Sequence, residues 1–157
     1  IKRFENPGKK IHNHTALEVT DKVKEFISHV PKDGGSRTSV PKSMWLKCHS
    51  EGYNGHKDVY GRAYWDQPTN TLTTGCNSIS KGRYVHPEKN RAFTFREASA
   101  VQGFSDNFIF IEQMKGGAPV PRSELSIQIG NAVPPPLAWS FAKVFSKEIQ
   151  RVGIPKL

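Results

Sequence analysis

Residues 91–104 read Arg-Ala-Phe-Thr-Phe-Arg-Glu-Ala-Ser-Ala-Val-Gln-Gly-Phe. Thr94, followed three positions later by Glu97, forms a capping box, in which the hydroxyl accepts from a backbone amide while the carboxylate reaches back to the cap. Phe93 and Ala98 stand where a hydrophobic staple sits. This spacing predicts a helix that opens at Thr94 and ends near Gly103, with an apolar stretch through Phe104, Phe108 and Phe110 behind it. Further on, a Gly and Pro loop from Gly116 to Pro121 leads to a short helix around Ser123 to Ile129 that stops at Gly130. A last helix starts near Pro135 or Pro136, since proline suits the first helical turn. It carries Leu137, Phe141, Val144, Phe145 and Ile149 on one face, and that face needs a partner to bury it.

In front of this helical part the pattern is different. Val19, Val23, Phe26, Ile27 and Val30 fall at helical spacing after Thr20, a candidate cap, and Pro31 ends the run. From Pro31 to His56 the residues Gly34, Gly35, Pro41 and Gly52 interrupt any period, which predicts loop with short strands. Val59 to Trp65 alternates Tyr60, Arg62 and Tyr64 with Val59, Ala63 and Trp65, the pattern of a half-buried strand. After a turn at Asp66, Gln67 and Pro68, the threonine-rich Thr69 to Thr74 reads as a second strand or an extended loop, and Gly82 makes another turn. No internal repeat or low-complexity segment is present.

The chain has 157 residues, is 36% hydrophobic and 24% charged, and is long enough to build a core. No apolar run reaches the roughly 18 residues needed to cross a bilayer, and Ile1 to Lys10 has no hydrophobic region behind it to make a secretory signal. With only Cys48 and Cys76, a reducing, cytoplasmic location is expected. The opening Ile in place of Met suggests a piece of something longer. Lys and Arg outnumber Asp and Glu by 23 to 14, a net charge of +9, which points to an acidic partner such as nucleic acid. The excess is concentrated up to Arg91, where 16 basic residues face 9 acids, against 7 and 5 in the remainder. There Arg37, Lys42, Lys47, Lys57, Arg62, Lys81, Arg83 and Lys89 interleave with Tyr53, Tyr60, Tyr64 and Tyr84, a mixture suited to phosphate contact and stacking, or equally to a solvated basic surface over a small aromatic core.

Local catalytic motifs are missing. Neither a dinucleotide-binding glycine pattern nor a phosphate loop occurs. Cys48, His49, His56 and Cys76 match no common zinc spacing, so no metal site is expected.

Two strings nevertheless carry a specific resemblance. Arg91 to Phe104, and then Gln128-Ile-Gly-Asn-Ala-Val-Pro134, resemble the last two sequence motifs of the cytosine-5 DNA methyltransferases, in the right order. Ahead of them, Asp66-Gln-Pro-Thr-Asn-Thr-Leu-Thr-Thr74 and Gly82-Arg-Tyr-Val-His-Pro87 are similar to the end of that family's target recognition domain, with its threonine-leucine pair at Thr71 and Leu72. The likeness is good from Val59 to Ala138 and loose over the first 58 residues.

This resemblance implies a two-lobed enzyme that flips a cytosine out of duplex DNA, adds a cysteine thiolate to carbon 6, and moves a methyl group from S-adenosylmethionine to carbon 5. The glycine-rich cofactor motif, the Pro-Cys loop and the Glu-Asn-Val motif of the family have no counterpart here, and neither cysteine follows a proline. No residue of this chain is therefore expected to be catalytic. The partners implied are double-stranded DNA and an N-terminal catalytic domain or subunit, with no membrane, and the chain alone is expected to be inactive. A location at the nucleoid and a role in DNA methylation of the restriction-modification kind follow from the same likeness.

The implied fold class is α+β: a small, irregular, β-rich recognition lobe over 1–90, then a segment over 91–157 whose helices pack onto a Rossmann-like methyltransferase domain absent from this chain. By resemblance, Asn131 and Ala132 lie at the cofactor pocket, on a turn set by Gln128 and Gly130. Arg96 and Glu97 are expected to be structural. Thr71, Leu72 and Thr73 are expected near the flipped base and the phosphate backbone. Asn77, Ser78, Lys81 and Arg83 are further candidates for DNA contact, although an ordinary solvated surface explains those four as well. The alternative from another class is a stand-alone, non-enzymatic DNA-binding module, which would have to bury Leu137, Phe141 and Phe145 in itself or in a homodimer.

Overall fold

A computed structural model of the chain describes residue 4 and residues 11–49, 55–110 and 117–153. The anticipated loop residues Gly52, Tyr53 and Gly116, and the basic start apart from Phe4, lie outside the described residues. The described residues form four α-helices: α1 (Asp21–Ser28), α2 (Phe95–Val101), α3 (Arg122–Asn131) and α4 (Pro135–Val152). Three single turns of 3-10 helix, Arg37–Ser39, Lys42–Met44 and Lys47–His49, lie between α1 and α2. No helix among the described residues is long and apolar enough to cross a membrane.

The β-rich lobe is not there. Among the described residues no strand forms, and pairing is limited to two isolated bridges, Arg62 with Val85 and Val85 with Ala92. The α+β expectation is thus corrected to helices joined by long irregular segments. The reason lies in where the backbone amides go. Tyr60 donates to Ile79 O at 2.7 Å, Gly61 to Asp58 O at 3.0 Å, Arg62 to Gly35 O at 2.9 Å and Ala63 to Val85 O at 2.9 Å. Four consecutive amides reach four separate segments, whereas a strand sends its bonds to a single neighbour. Tyr60 also sits at φ 59°, left-handed backbone that ends any alternation, and Val59 through Ala63 are all buried rather than alternately exposed. The second expected strand, 69–74, likewise gives its polar groups to side chains, as described below.

What replaces a sheet is a set of inward-turned arginines, Arg62 and Arg96 buried and Arg83 nearly so. The Arg62 side chain donates to the carbonyls of Ile27, Val30, His86 and Lys89 at 2.8 to 3.0 Å, and also to Asn90 Oδ1. It therefore satisfies carbonyls at the end of α1, where a helix leaves them without partners, and ties them to the 86–90 turn. Arg83 donates to Asp58 Oδ1, Gly34 O, Gly35 O and Arg62 O. Arg96 donates to His12 O, Ser105 O and Phe108 O, pinning the segment that follows α2. A guanidinium with five fixed donors can close several backbone turns at once.

Around these, two apolar clusters form. One gathers Phe26 and Ile27 of α1, and Val30 just beyond its end, with Val59, Ile79 and Val85. The other gathers Leu72, Phe93, Phe95, Ala98, Leu125 and Ile129, so that α2 and α3 share it. The α2 start carries both bonds of the capping box: Glu97 N to Thr94 Oγ1 at 3.1 Å and Thr94 N to Glu97 Oε2 at 2.8 Å. Arg91 grips the same carboxylate with two bonds at 2.7 and 2.8 Å. Burial pushes the Glu97 carboxyl up, but the Arg91 pair, the Thr94 amide and His86 more than offset this, holding it below the ordinary value. At α1 Thr20 is the N-cap as read from the sequence, but it caps through its carbonyl, which accepts from Val23 and Lys24, with no side-chain cap bond. The α3 helix begins one residue earlier than anticipated and runs through Gly130 to Asn131. Pro135 and Pro136 open α4, and Gly153, at φ 75°, ends it in the left-handed conformation that glycine tolerates. Every residue of α4 is exposed, including Leu137, Phe141, Phe145 and Ile149.

Candidate nucleic-acid interface

The segment Thr71 to Lys81 is a run of tight turns. Cys76 N donates to Thr73 O at 3.0 Å, Ser78 N to Gly75 O at 2.8 Å and Lys81 N to Ser78 O at 3.1 Å. Its first three residues alternate: Thr71 and Thr73 are exposed, and Leu72 between them is buried in the second cluster. The Tyr84 hydroxyl stands behind them. It donates to Thr71 O at 2.9 Å, accepts from Thr73 N at 3.0 Å and lies 3.3 Å from Thr73 Oγ1.

The α3 helix braces the same segment from another side. Ser126 Oγ donates to Thr74 O at 2.6 Å and lies 3.1 Å from Asn77 Oδ1, while Cys76 Sγ lies 3.6 Å from that hydroxyl. One turn further on, Gly130 lies so close that an added Cβ would stand 2.4 Å from the Thr73 carbonyl. Only glycine allows that approach. The next two residues, the exposed Asn131 that ends α3 and the half-buried Ala132 that caps it, follow, and Gln102 Nε2 donates to Ile129 O at 3.0 Å and Ala132 O at 3.4 Å. Gln128 reaches back along the helix to Glu124 Oε1 at 3.4 Å.

The residues singled out from the sequence therefore fall into groups. Thr71, Thr73 and Lys81 face solvent on one turn-rich segment, with Ser78 part-exposed beside them and bonded to Ser80. Leu72 and Asn77 point inward, and the Arg83 guanidinium is engaged with Asp58 and three carbonyls. Asn131 and Ala132 are linked to this segment through Gly130. Tyr84, named from the sequence only as an aromatic among the basic residues, and Ser126, not named at all, hold the segment in place, and a lone Tyr or Ser carries no sequence signal of such a role.

The basic residues divide by type. Lys42, Lys47, Lys57, Lys81 and Lys89 are exposed, whereas Arg37 and Arg62 are buried and Arg83 is turned inward. Lysine is a flexible point charge suited to phosphate contact without fixed geometry, while the arginine forks serve the fold. Of the two cysteines, Cys48 is exposed and Cys76 is buried, and burial raises the Cys76 thiol, leaving it a poor nucleophile. Among the described residues no three of His, Cys, Asp and Glu gather to hold a metal ion.

Comparison with known proteins shows which family the chain resembles. Residues 3–147 match the sequence profile of C-5 cytosine-specific DNA methylase. A type II methylase of Herpetosiphon aurantiacus is 36% identical over 140 residues, which is 88% of this chain and 37% of that protein. A type II methyltransferase of Bacillus subtilis is 36% identical over 138 residues, 88% of this chain and 30% of that protein. The DNA (cytosine-5)-methyltransferase 1 of Mus musculus is 38% identical over 110 residues, 69% of this chain and 6% of that protein. The chain spans about a third of the length of the bacterial relatives. With a match over nearly its whole length, the chain belongs to the C-5 cytosine-specific DNA methylase family.

Proposed function

We propose that this chain is the target recognition and C-terminal portion of a DNA (cytosine-5)-methyltransferase, with residues 1–90 meeting duplex DNA and 91–157 completing the catalytic part. The match of residues 3–147 to the family carries the reading. The catalytic cysteine comes from the N-terminal domain or a partner subunit. In support, Cys76 is buried with a raised thiol, and Cys48 lies between Lys47 and His49 rather than behind a proline.

In this mechanism the chain binds and positions. The exposed lysines approach phosphates, and the Thr71 and Thr73 hydroxyls, with Ser78 and Lys81 beside them, fix the duplex in register so that a cytosine can leave the stack. Asn77 and Arg83 shape the surface behind these groups through their inward contacts. S-adenosylmethionine supplies the methyl group. Asn131, exposed at the end of α3, and the half-buried Ala132 beside it fit one wall of a pocket for that cofactor, not a whole pocket. The apolar face of α4 covers itself against the catalytic domain, which accounts for the exposure of Leu137, Phe141 and Phe145. The place of action is the cytoplasm, on DNA.

The test is a methyl-transfer assay with tritiated cofactor. This chain alone is expected to transfer nothing, and addition of the family's N-terminal catalytic part is expected to restore transfer to duplex DNA. Transfer by the chain alone would refute the division of labour.

A further inference from the structure

Residues 71–73 belong to no helix or strand, so their shape depends on side chains reaching in from elsewhere. The Tyr84 ring is fully buried, and for filling that space a phenylalanine would serve as well. Its hydroxyl does something a ring cannot. It donates to Thr71 O, accepts from Thr73 N and sits 3.3 Å from Thr73 Oγ1, so it bridges the two residues flanking Leu72. With Leu72 anchored inside and the backbone on each side tied to one oxygen, Thr71 and Thr73 are both left exposed at a set spacing.

We infer that Tyr84 is a positioning residue for DNA recognition: its hydroxyl sets the presentation of Thr71 and Thr73 to the duplex. This rests on the proposed reading of that segment as DNA-facing. Removing the hydroxyl leaves the ring, Leu72 and the core in place, but frees the Thr73 amide and Thr71 carbonyl to turn to water. The two threonines then sample several arrangements, and binding bears the cost of ordering them.

The experiment compares Tyr84→Phe with wild type in the complete enzyme. Ser99→Ala serves as a control that removes another buried hydroxyl bond, from Ser99 to Arg96 O, away from the segment. Three readouts are taken: hydrogen exchange at the Thr73 amide, the Kd for a duplex carrying the methylated site, and kcat and KM for DNA. In Tyr84→Phe the Thr73 amide is expected to exchange about ten-fold faster and Kd and KM for DNA to rise about five-fold, with kcat within two-fold of wild type. Ser99→Ala is expected to leave all three near wild type even if it lowers the melting temperature as much. The inference is overturned if Thr73 exchange or the Kd is unchanged in Tyr84→Phe, or if Ser99→Ala weakens binding equally. Absence of duplex binding by wild type would instead bring down the DNA-facing reading and the inference with it.

Discussion

Replacing Gly130 with alanine sets two opposite effects against each other, and the structure decides the sign. Gly130 lies within α3, where alanine is preferred over glycine by about 1 kcal/mol. Against this, the new methyl carbon would stand 2.4 Å from both Thr73 C and Thr73 O and 2.5 Å from Thr74 N. Ordinary contact for such a carbon begins at 3.4 Å, so helix and segment must separate by about 1 Å. The opposing atoms are backbone and cannot swing aside as a side chain would. Overpacking of this kind costs about 1 to 3 kcal/mol, and the upper part of that range applies here. The net expectation is a loss of about 1 to 2 kcal/mol, which for a chain of this size lowers the melting temperature by about 2 to 8 °C. A thermal melt followed by circular dichroism reads it, with Ser123→Ala as a control on the exposed surface of the same helix. A melting temperature raised by alanine at 130 would show that propensity alone acts there, and that α3 does not rest on the Thr73 and Thr74 backbone.

Glu97→Gln is expected to destabilise by about 3 kcal/mol in a denaturant titration, because it strips a buried carboxylate from the Arg91 fork and leaves that cation facing a neutral amide. The folded carboxyl of Glu97 titrates below its unfolded value of 4.5, so its contribution is present above that pH and is lost as pH falls through the lower folded value. The gap between wild type and Glu97→Gln should therefore narrow below pH 4.5, and a gap constant down to pH 3 would contradict the pairing. Arg62→Lys is expected to cost about 2 to 4 kcal/mol, since a single ammonium cannot serve carbonyls on both α1 and the 86–90 turn; a melt within 1 °C of wild type would refute that role. A thiol reagent should label Cys48 in the native protein and reach Cys76 only on unfolding, so rapid labelling of both would contradict the packing of Cys76 beneath α3.

The helices were the legible part, and each for a local reason. The capping box at Thr94 and Glu97, the Pro135-Pro136 start of α4 and the 3.6-residue spacing of α1 all act between residues a few positions apart. The front half failed as a reading because alternation at Val59 to Trp65 assumes a neighbouring strand, and here each amide finds a different partner. Arg62 and Arg83 show the same difficulty. Both looked like surface cations among tyrosines, yet each is folded inward by carbonyls from segments 20 to 50 residues away. Of the residues proposed from the motifs, Thr71 and Thr73 are exposed, while Leu72, Asn77 and Arg83 face the interior, a division that depends on packing and not on local pattern.

By itself, then, the sequence determined the family, the positions of four helices and the concentration of positive charge ahead of Arg91, because ordered motifs, helical periodicity and composition are properties of the chain in one dimension. Only the tertiary structure decided which cations face outward, how a segment without strands keeps its shape, and why Gly130 is glycine. Those outcomes depend on hydrogen bonds and close contacts between residues far apart in the chain, from Tyr84 to Thr71 and from α3 to Thr73 and Thr74. No local pattern encodes such contacts until the backbone has brought the partners together.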